Sequence, residues 1–102
     1  MSGFNGLDIT RIDIAVVEDD DHAPIGKLRA YANVTFNECF LVRSMKVIER
    51  SSGVLMVAMP SRKSAKNGKF RDLAHPLNEE FRRIMEDAIL DRYGEEIGSD
   101  AG

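Results

Sequence analysis

The stretch GKLRAYANVTFNECFLVRSMKVIER, residues 26–50, decides the fold class of this chain. From Gly26 to Phe36 every second side chain is apolar, which is the period of a β-strand that buries one face. The apolar positions are Leu28, Ala30, Ala32, Val34 and Phe36. Asn37-Glu38 has the length of a hairpin connection, and Cys39–Arg50 is typical of the next strand. The stretch therefore predicts two neighbouring antiparallel strands.

Two further strand patterns flank this hairpin. Upstream, Asp8–Val17 places Ile12, Ile14 and Val16 on one face of a half-buried strand. Downstream, Val54–Met59 is a continuous apolar run bounded by Gly and Pro. Such a run is typical of a strand that is buried on both faces or paired with a partner subunit. Four strands are thus predicted between Asp8 and Met59, before the basic stretch and the helix.

A single helix is predicted to begin after Asn78. The Asn78 side chain can cap the free backbone amides, and Glu79 and Glu80 suit the positive end of the helix dipole. The residues that follow at helical spacing form one stripe, predicted to be buried: Phe81, Ile84, Met85, Ala88, Ile89 and Arg92. Gly94 is a natural stop for this helix.

These elements predict one domain of the α+β class. Its expected architecture is an antiparallel sheet of about four or five strands, followed by one C-terminal helix that covers one face. We place the domain at residues 8–94. Residues 1–7 are rich in Gly and Asn and are expected to form a flexible tail, and residues 95–102 a polar tail.

The second face of the predicted sheet lacks a cover. Leu41, Met45 and Met56 are apolar positions predicted on that face. A monomer would expose them as a patch or leave an open strand edge. We therefore expect a homodimer, joined through sheet surfaces or through the Val54–Met59 edge across a two-fold axis.

Composition is that of an ordinary soluble domain. The chain has 102 residues, 43% apolar and 30% charged, with a formal net charge of −3. No apolar run is long enough to span a membrane, and the N-terminal segment lacks the pattern of a signal peptide, so a cytoplasmic location is expected. Cys39 is the only cysteine and is predicted to be a small core or interface residue. The acidic run Glu18–Asp21 does not have the spacing of an EF-hand and is interpreted as a solvated turn.

Catalytic and cofactor motifs are not found. The two histidines are His22, in the acidic segment, and His75, which could pair with Asp72 as a base. No nucleophile elbow, zinc-ligand spacing or dinucleotide fingerprint accompanies them. We interpret His75 as a hydrogen-bonded residue in the turn before the helix. The sequence predicts no enzymatic activity, no cofactor and no metal site.

A basic stretch stands out within this acidic chain. Five cations fall within ten residues with no acid among them: Arg62, Lys63, Lys66, Lys69 and Arg71. Pro60 and His75-Pro76 bound the stretch, and Asn67-Gly68 at its middle favours a type I′ hairpin turn. Locally concentrated positive charge attracts polyanions and neutralises phosphates, so DNA or RNA binding is expected. Solubilising charge alone is the alternative for these residues.

Arg82 and Arg83 follow on the first turns of the predicted helix, outside its apolar stripe. They could extend the basic stretch or contact base edges, as arginine does with guanine. Acidic residues share this helix, so a solvated face of mixed charge is the alternative. Phe70 is the only aromatic residue within the basic stretch, which makes stacking on single strands a lesser option.

Three motifs in the second half of the chain resemble the SpoVG (stage V sporulation protein G) family. They are VAMPSRK at Val57–Lys63, GKFRD at Gly68–Asp72 and AHPLN at Ala74–Asn78. The upstream strands and the trailing helix also match, so the resemblance extends from about Ile9 to Tyr93.

The resemblance implies a small dimeric α+β protein of the bacterial cytoplasm. The family is linked to septation and, in spore formers, to control of the asymmetric septum. Its members are described as regulators that bind DNA, and in some cases RNA, through the basic stretch and the helix. Arg62, Lys63, Lys69 and Arg71 match the family pattern, whereas Arg82 and Arg83 lie where the family's helix varies. An interaction module of the division machinery, with the basic stretch docked on an acidic protein, is the alternative.

Overall fold

The computed structural model describes residues 2–17, 22–23 and 26–101. Within these ranges the chain forms eight strands and then one helix, in the order predicted for an α+β fold. The strands are β1 Ser2–Phe4, β2 Leu7–Val16, β3 His22–Ala23, β4 Gly26–Phe36, β5 Phe40–Glu49, β6 Leu55–Ala58, β7 Ser61–Lys63 and β8 Phe70–Asp72. The helix, α1, is Glu79–Ala101. The acidic run Glu18–Asp21 lies outside the described residues.

One antiparallel sheet contains six of the strands. Its order is β1-β2-β4-β5-β6, and the short β3 pairs with β4. The four strands predicted from the sequence are confirmed as β2, β4, β5 and β6, and each pairs with its neighbour in the predicted antiparallel sense. β7 and β8 form a separate two-stranded sheet. Among the described residues, no helix is both long and apolar enough to cross a membrane.

The N-terminal residues form a hairpin and not the predicted tail. Ser2–Phe4 pairs with β2, and the turn between them is Asn5-Gly6, with φ of 48° and 84°. Positive φ at both central residues is the requirement of a type I′ turn, which Asn-Gly meets at low steric cost. The Phe4 ring lies 6.0 Å from the Phe81 ring, so the hairpin is packed onto the helix.

A β-bulge in β5 changes which side chains reach the core. Ala32 is paired with Met45, but Val34 is paired with Val42, so two β5 residues oppose Asn33 alone. Ser44 has a φ of 68°, and its backbone amide donates to the Asn33 side chain at 3.2 Å. The extra residue reverses the alternation. Met45 is therefore buried in the helix-side core, and its predicted place on the second face was wrong.

The core lies between the sheet and α1, which packs against β1, β2 and β6. Ala30 and Ala32 of the central strand are fully buried in this core. The core residues are Ile9, Ala30, Ala32, Val34, Phe36, Met45, Val47, Val57, Met59, Phe81, Met85, Ile89 and Tyr93. This single cluster is the main apolar contribution to stability.

The helix departs from prediction at its C-terminal end. Tyr93 occupies the buried stripe where Arg92 was predicted, and Arg92 instead pairs with Glu96 at 3.0 Å, one turn further along. The helix also continues through Gly94 to Ala101, so the predicted stop at Gly94 was wrong, and the polar residues predicted as a tail continue the helix. Burial of Tyr93 holds the helix in place at this position, which offsets the low helix propensity of glycine.

The second face of the sheet is mixed in character. Leu41 is exposed there, as predicted, and Met56 is half-buried. An exposed ion pair between Arg11 and Asp13, 3.0 Å apart, lies on strand β2. Cys39 is exposed in the turn before β5, so it is not the core residue that was one of its two predicted roles, and its role at an interface stays a prediction.

Candidate nucleic-acid interface

The predicted basic stretch folds into the β7–β8 hairpin. Pro60 ends the preceding apolar strand, because proline has no amide hydrogen to donate to a neighbouring strand. Its carbonyl accepts the Leu73 amide at 2.7 Å and so joins the two ends of the hairpin. The paired residues are Ser61 with Asp72, Arg62 with Arg71, and Lys63 with Phe70. The predicted hairpin is therefore confirmed.

The turn of this hairpin is longer than the predicted type I′ turn. The Ser64 amide donates to the Lys69 carbonyl at 2.7 Å, and the Gly68 amide donates to the Ser64 carbonyl at 2.9 Å. Gly68 has a φ of 69°, in the left-handed region, but Asn67 is not in that region. A type I′ turn requires a positive φ at both residues, so this turn is of another type. The Asn67 side chain instead accepts the Lys69 amide at 3.0 Å. The tip is a compact four-residue loop.

The cations lie on both faces of the hairpin. Arg62 and Arg71 are directly opposite each other, so their side chains share one face. Lys63 is one residue further along and lies on the other face, opposite Phe70. All five predicted cations are exposed. Among the described residues none of the five forms an ion pair.

Arg82 and Arg83 lie on α1, which is separated from the end of the hairpin by six residues, 73–78. The helix begins as predicted, because the Phe81 amide donates to the Asn78 side chain at 2.8 Å. Arg83 is exposed and Arg82 half-buried. Both border a shallow groove together with acidic residues: Glu79, Glu86 and Asp87. The arginines thus belong to a helix face of mixed charge.

His75 lies in the turn before α1. Its Nδ1 is 3.1 Å from the Pro76 carbonyl oxygen, a contact that agrees with its interpretation as a hydrogen-bonded turn residue. The ring borders an open apolar groove of about 340 Å³, and Asp72 is not part of that lining. In the part of the chain that the structure describes, no group of three or more potential ligands could hold a metal ion.

Two exposed leucines near this groove were not singled out from the sequence. Leu77 is 92% exposed and borders the groove, and Leu73 is exposed at the base of the hairpin. The signal was available, since both leucines fall between the end of the hairpin and the helix cap, where no strand or helix pattern would bury them. Apolar side chains are therefore displayed beside the positive hairpin.

Comparison with known proteins gives consistent matches. The model of the SpoVG family matches residues 7–95 of the chain. A protein of Bdellovibrio bacteriovorus named "Putative septation protein SpoVG" is 44% identical over 93 residues, which cover 91% of this chain and 79% of that protein. Proteins of the same name from Treponema denticola and Clostridioides difficile are 41% and 47% identical. These matches cover 85% and 71% of this chain, and 86% and 76% of the two relatives.

Proposed function

Because the chain belongs to the SpoVG family, we propose that it is a small, non-enzymatic cytoplasmic regulator linked to septation and gene expression, which acts by binding DNA or RNA. The observation that carries the proposal is the β7–β8 hairpin. It displays five exposed cations, none of which forms an ion pair with another described residue, on a chain whose net charge is negative. The names of the relatives support the septation part of the proposal.

The arrangement of the hairpin favours a polyanionic partner. Arg62 and Arg71 are directly opposed across two strands, and like charges in that position repel each other and destabilise the pair. A phosphate placed between them would replace repulsion with two charge-assisted hydrogen bonds. Lys63, Lys66 and Lys69 belong to the same hairpin and its loop, and they add to the local positive potential.

The helix arginines have a secondary part in this proposal. Arg82 and Arg83 share their helix face with three acids, which repel phosphate at the same time as the arginines attract it. We assign the general affinity to the hairpin and a contribution to base or shape preference to the two arginines. An Arg83 change should accordingly alter sequence preference more than overall affinity.

The test is fluorescence anisotropy of the purified protein with labelled duplex DNA and single-stranded RNA over a series of salt concentrations. Each phosphate contact to a duplex contributes about −0.9 to the slope of log K against log salt. We expect binding at low salt with a slope of about −3 to −4.5 for each chain that engages three to five of its hairpin cations. Absence of binding to both nucleic acids at low salt would contradict the proposal.

We also propose that the active form is a homodimer. Leu77 and Leu73 are exposed, and within the described ranges β6 pairs only with β5, which leaves its outer edge open. A second copy could bury such features across a two-fold axis. Sedimentation velocity should give about twice the 11.4 kDa mass of one chain. A monomer mass at micromolar concentration would contradict this part.

An interaction module of the division machinery is the second candidate function. The observation in its favour is the pair of exposed leucines beside the positive hairpin, because a protein partner can bury apolar groups while its acids pair with the cations. The anisotropy series separates the two candidates. A chain that binds no nucleic acid at low salt and captures an acidic division protein would belong to this second class.

A further inference from the structure

Phe70 is an exposed aromatic ring in the middle of the positive hairpin. It is 53% exposed and lies directly opposite Lys63, and Lys69 and Arg71 are its neighbours in the chain. Ring contacts among the described residues are found beside the helix instead, where the ring centres of Phe4 and Phe36 lie 6.0 and 6.1 Å from that of Phe81. Phe70 belongs to neither that ring cluster nor the buried core.

The fold covers the Phe70 ring only in part. β7 and β8 form a two-stranded sheet of their own, separate from the main sheet, and about half of the Phe70 surface stays in contact with solvent. The side chain opposite Phe70 is a lysine, whose stem can line the ring but whose ammonium group stays in water. The ring therefore keeps a free surface among cations, a pairing typical of sites that bind single-stranded nucleic acid.

We propose that Phe70 is a stacking platform for an unpaired base, so that the hairpin binds single-stranded nucleic acid in preference to duplex. The inference rests on the proposed function, and it names the substrate class of the same site. A base would stack on the exposed ring, and Lys63 would contact a phosphate of the same strand from the directly opposite position. Arg62 and Arg71, on the other face, bind phosphate whether the nucleic acid is single- or double-stranded.

The preference for single strands follows from which base surfaces are free. In a duplex each base is stacked between its neighbours, so a side chain that needs a base face must first break that stacking. In a single strand or a loop the bases can splay out onto an aromatic ring. The hairpin cations therefore provide attraction to both forms, and Phe70 adds affinity for only one.

The decisive experiment uses a Phe70→Trp variant. The chain contains no tryptophan, so this variant carries a single indole as its reporter. Oligo-dT is expected to quench the indole fluorescence on binding, and an abasic oligonucleotide of the same length and charge is expected to leave it nearly unchanged. Equal quenching by the two oligonucleotides would show that only phosphates are near the ring, which would overturn the inference.

A second set of variants measures the energetic effect. Phe70→Leu keeps an apolar side chain without an aromatic face, and it should weaken oligo-dT binding about 5- to 100-fold while changing duplex affinity less than about twofold. Phe70→Tyr should restore the affinity. The matched control is Tyr31→Leu, which removes an aromatic ring that is 41% exposed on β4 of the main sheet, and it should leave both affinities unchanged.

The outcomes separate this inference from the proposed function. If the wild-type protein binds neither oligo-dT nor duplex DNA, both the proposed function and the stacking inference are contradicted. If the wild-type protein binds both equally and Phe70→Leu has no effect, nucleic-acid binding is supported and only the stacking inference is contradicted. Sedimentation of the Phe70→Leu variant completes the test, because a loss of dimer mass would assign the ring to a subunit contact and overturn its assignment to a base.

Discussion

An Arg62→Glu variant is expected to bind labelled duplex DNA about 100-fold more weakly than the wild-type protein at low salt. The substitution removes one phosphate contact and places a carboxylate directly opposite Arg71, so the second arginine is paired internally and is also lost to the ligand. Two charge-assisted contacts of about 1.4 kcal/mol each correspond to this factor. The slope of log K against log salt should become less steep by about 2.

The Arg62→Glu variant should be at least as stable as the wild-type protein, although it binds DNA more weakly. The wild-type Arg62–Arg71 pair is repulsive, whereas the carboxylate that Arg62→Glu introduces would attract Arg71, so the hairpin is expected to gain up to about 0.5–1 kcal/mol. Thermal or denaturant unfolding would therefore show a folded protein at least as stable as the wild type. A loss of affinity together with a gain of stability cannot be attributed to misfolding.

The matched control is Lys27→Glu, which changes the net charge by the same amount. Lys27 is exposed on β4, and β4 is separated from β6 and the hairpin by β5. Overall charge alone would weaken binding equally in both variants, whereas a local hairpin site predicts a much smaller effect of Lys27→Glu. An Arg62→Glu affinity within about twofold of wild type, with an unchanged salt slope, would contradict the hairpin as the site.

Strand identity could be read from the sequence because burial on one face imposes a period of two residues. Gly26–Phe36 shows that period in the sequence, and it became the central strand of the sheet. A bulge at Arg29 nevertheless pairs Leu28 with Ile48 and leaves Leu28 outside the core cluster, so its predicted place on the face of Ala30 was wrong. The period is a poor guide where a bulge adds a residue. The extra residue at Arg43-Ser44 moved Met45 to the core side, and neither residue type marks a bulge, since positive φ is uncommon for serine.

The two chain ends show a different kind of error. At the N-terminus the signal was present, since Asn5-Gly6 is a type I′ hairpin dipeptide, but Ser2–Phe4 is too short to show a strand period. At the other end Gly94 was predicted to stop the helix from local propensity alone. Propensity is a weak term, and burial of Tyr93 against the sheet outweighs it.

The candidate site was predictable in composition but not in arrangement. A run of cations with an Asn-Gly turn indicates a displayed positive hairpin from the sequence alone. Which cations share a face depends on the register, and the register depends on a four-residue loop that the dipeptide does not specify. The opposition of Arg62 and Arg71, and of Lys63 and Phe70, is therefore information that only the structure supplies.

The main sheet and α1 give this hairpin a fixed base. The hairpin leaves the sheet at Pro60 and returns toward the helix at Leu73, and one hydrogen bond of 2.7 Å joins these two residues. Both neighbouring segments are held by the core, since Met59 is buried before the hairpin and Phe81 is buried soon after it. The geometry of the β7–β8 hairpin therefore depends on the packing of α1 on the sheet.

An Ile89→Ala variant should accordingly show the largest loss of stability of any single truncation discussed for this chain. Ile89 is 0% exposed on α1 and is the largest fully buried side chain among the described residues, so its removal leaves a cavity that the close-packed core can fill only in part. The unfolding free energy should fall by about 2–5 kcal/mol, and the Tm by roughly 10 °C or more. Ile97→Ala is the matched control on the same helix, because Ile97 is 40% exposed, and its cost should stay below about 1 kcal/mol. Chemical denaturation of both variants measures the difference, and equal losses would mean that α1 does not pack on the sheet through its Phe81–Tyr93 stripe.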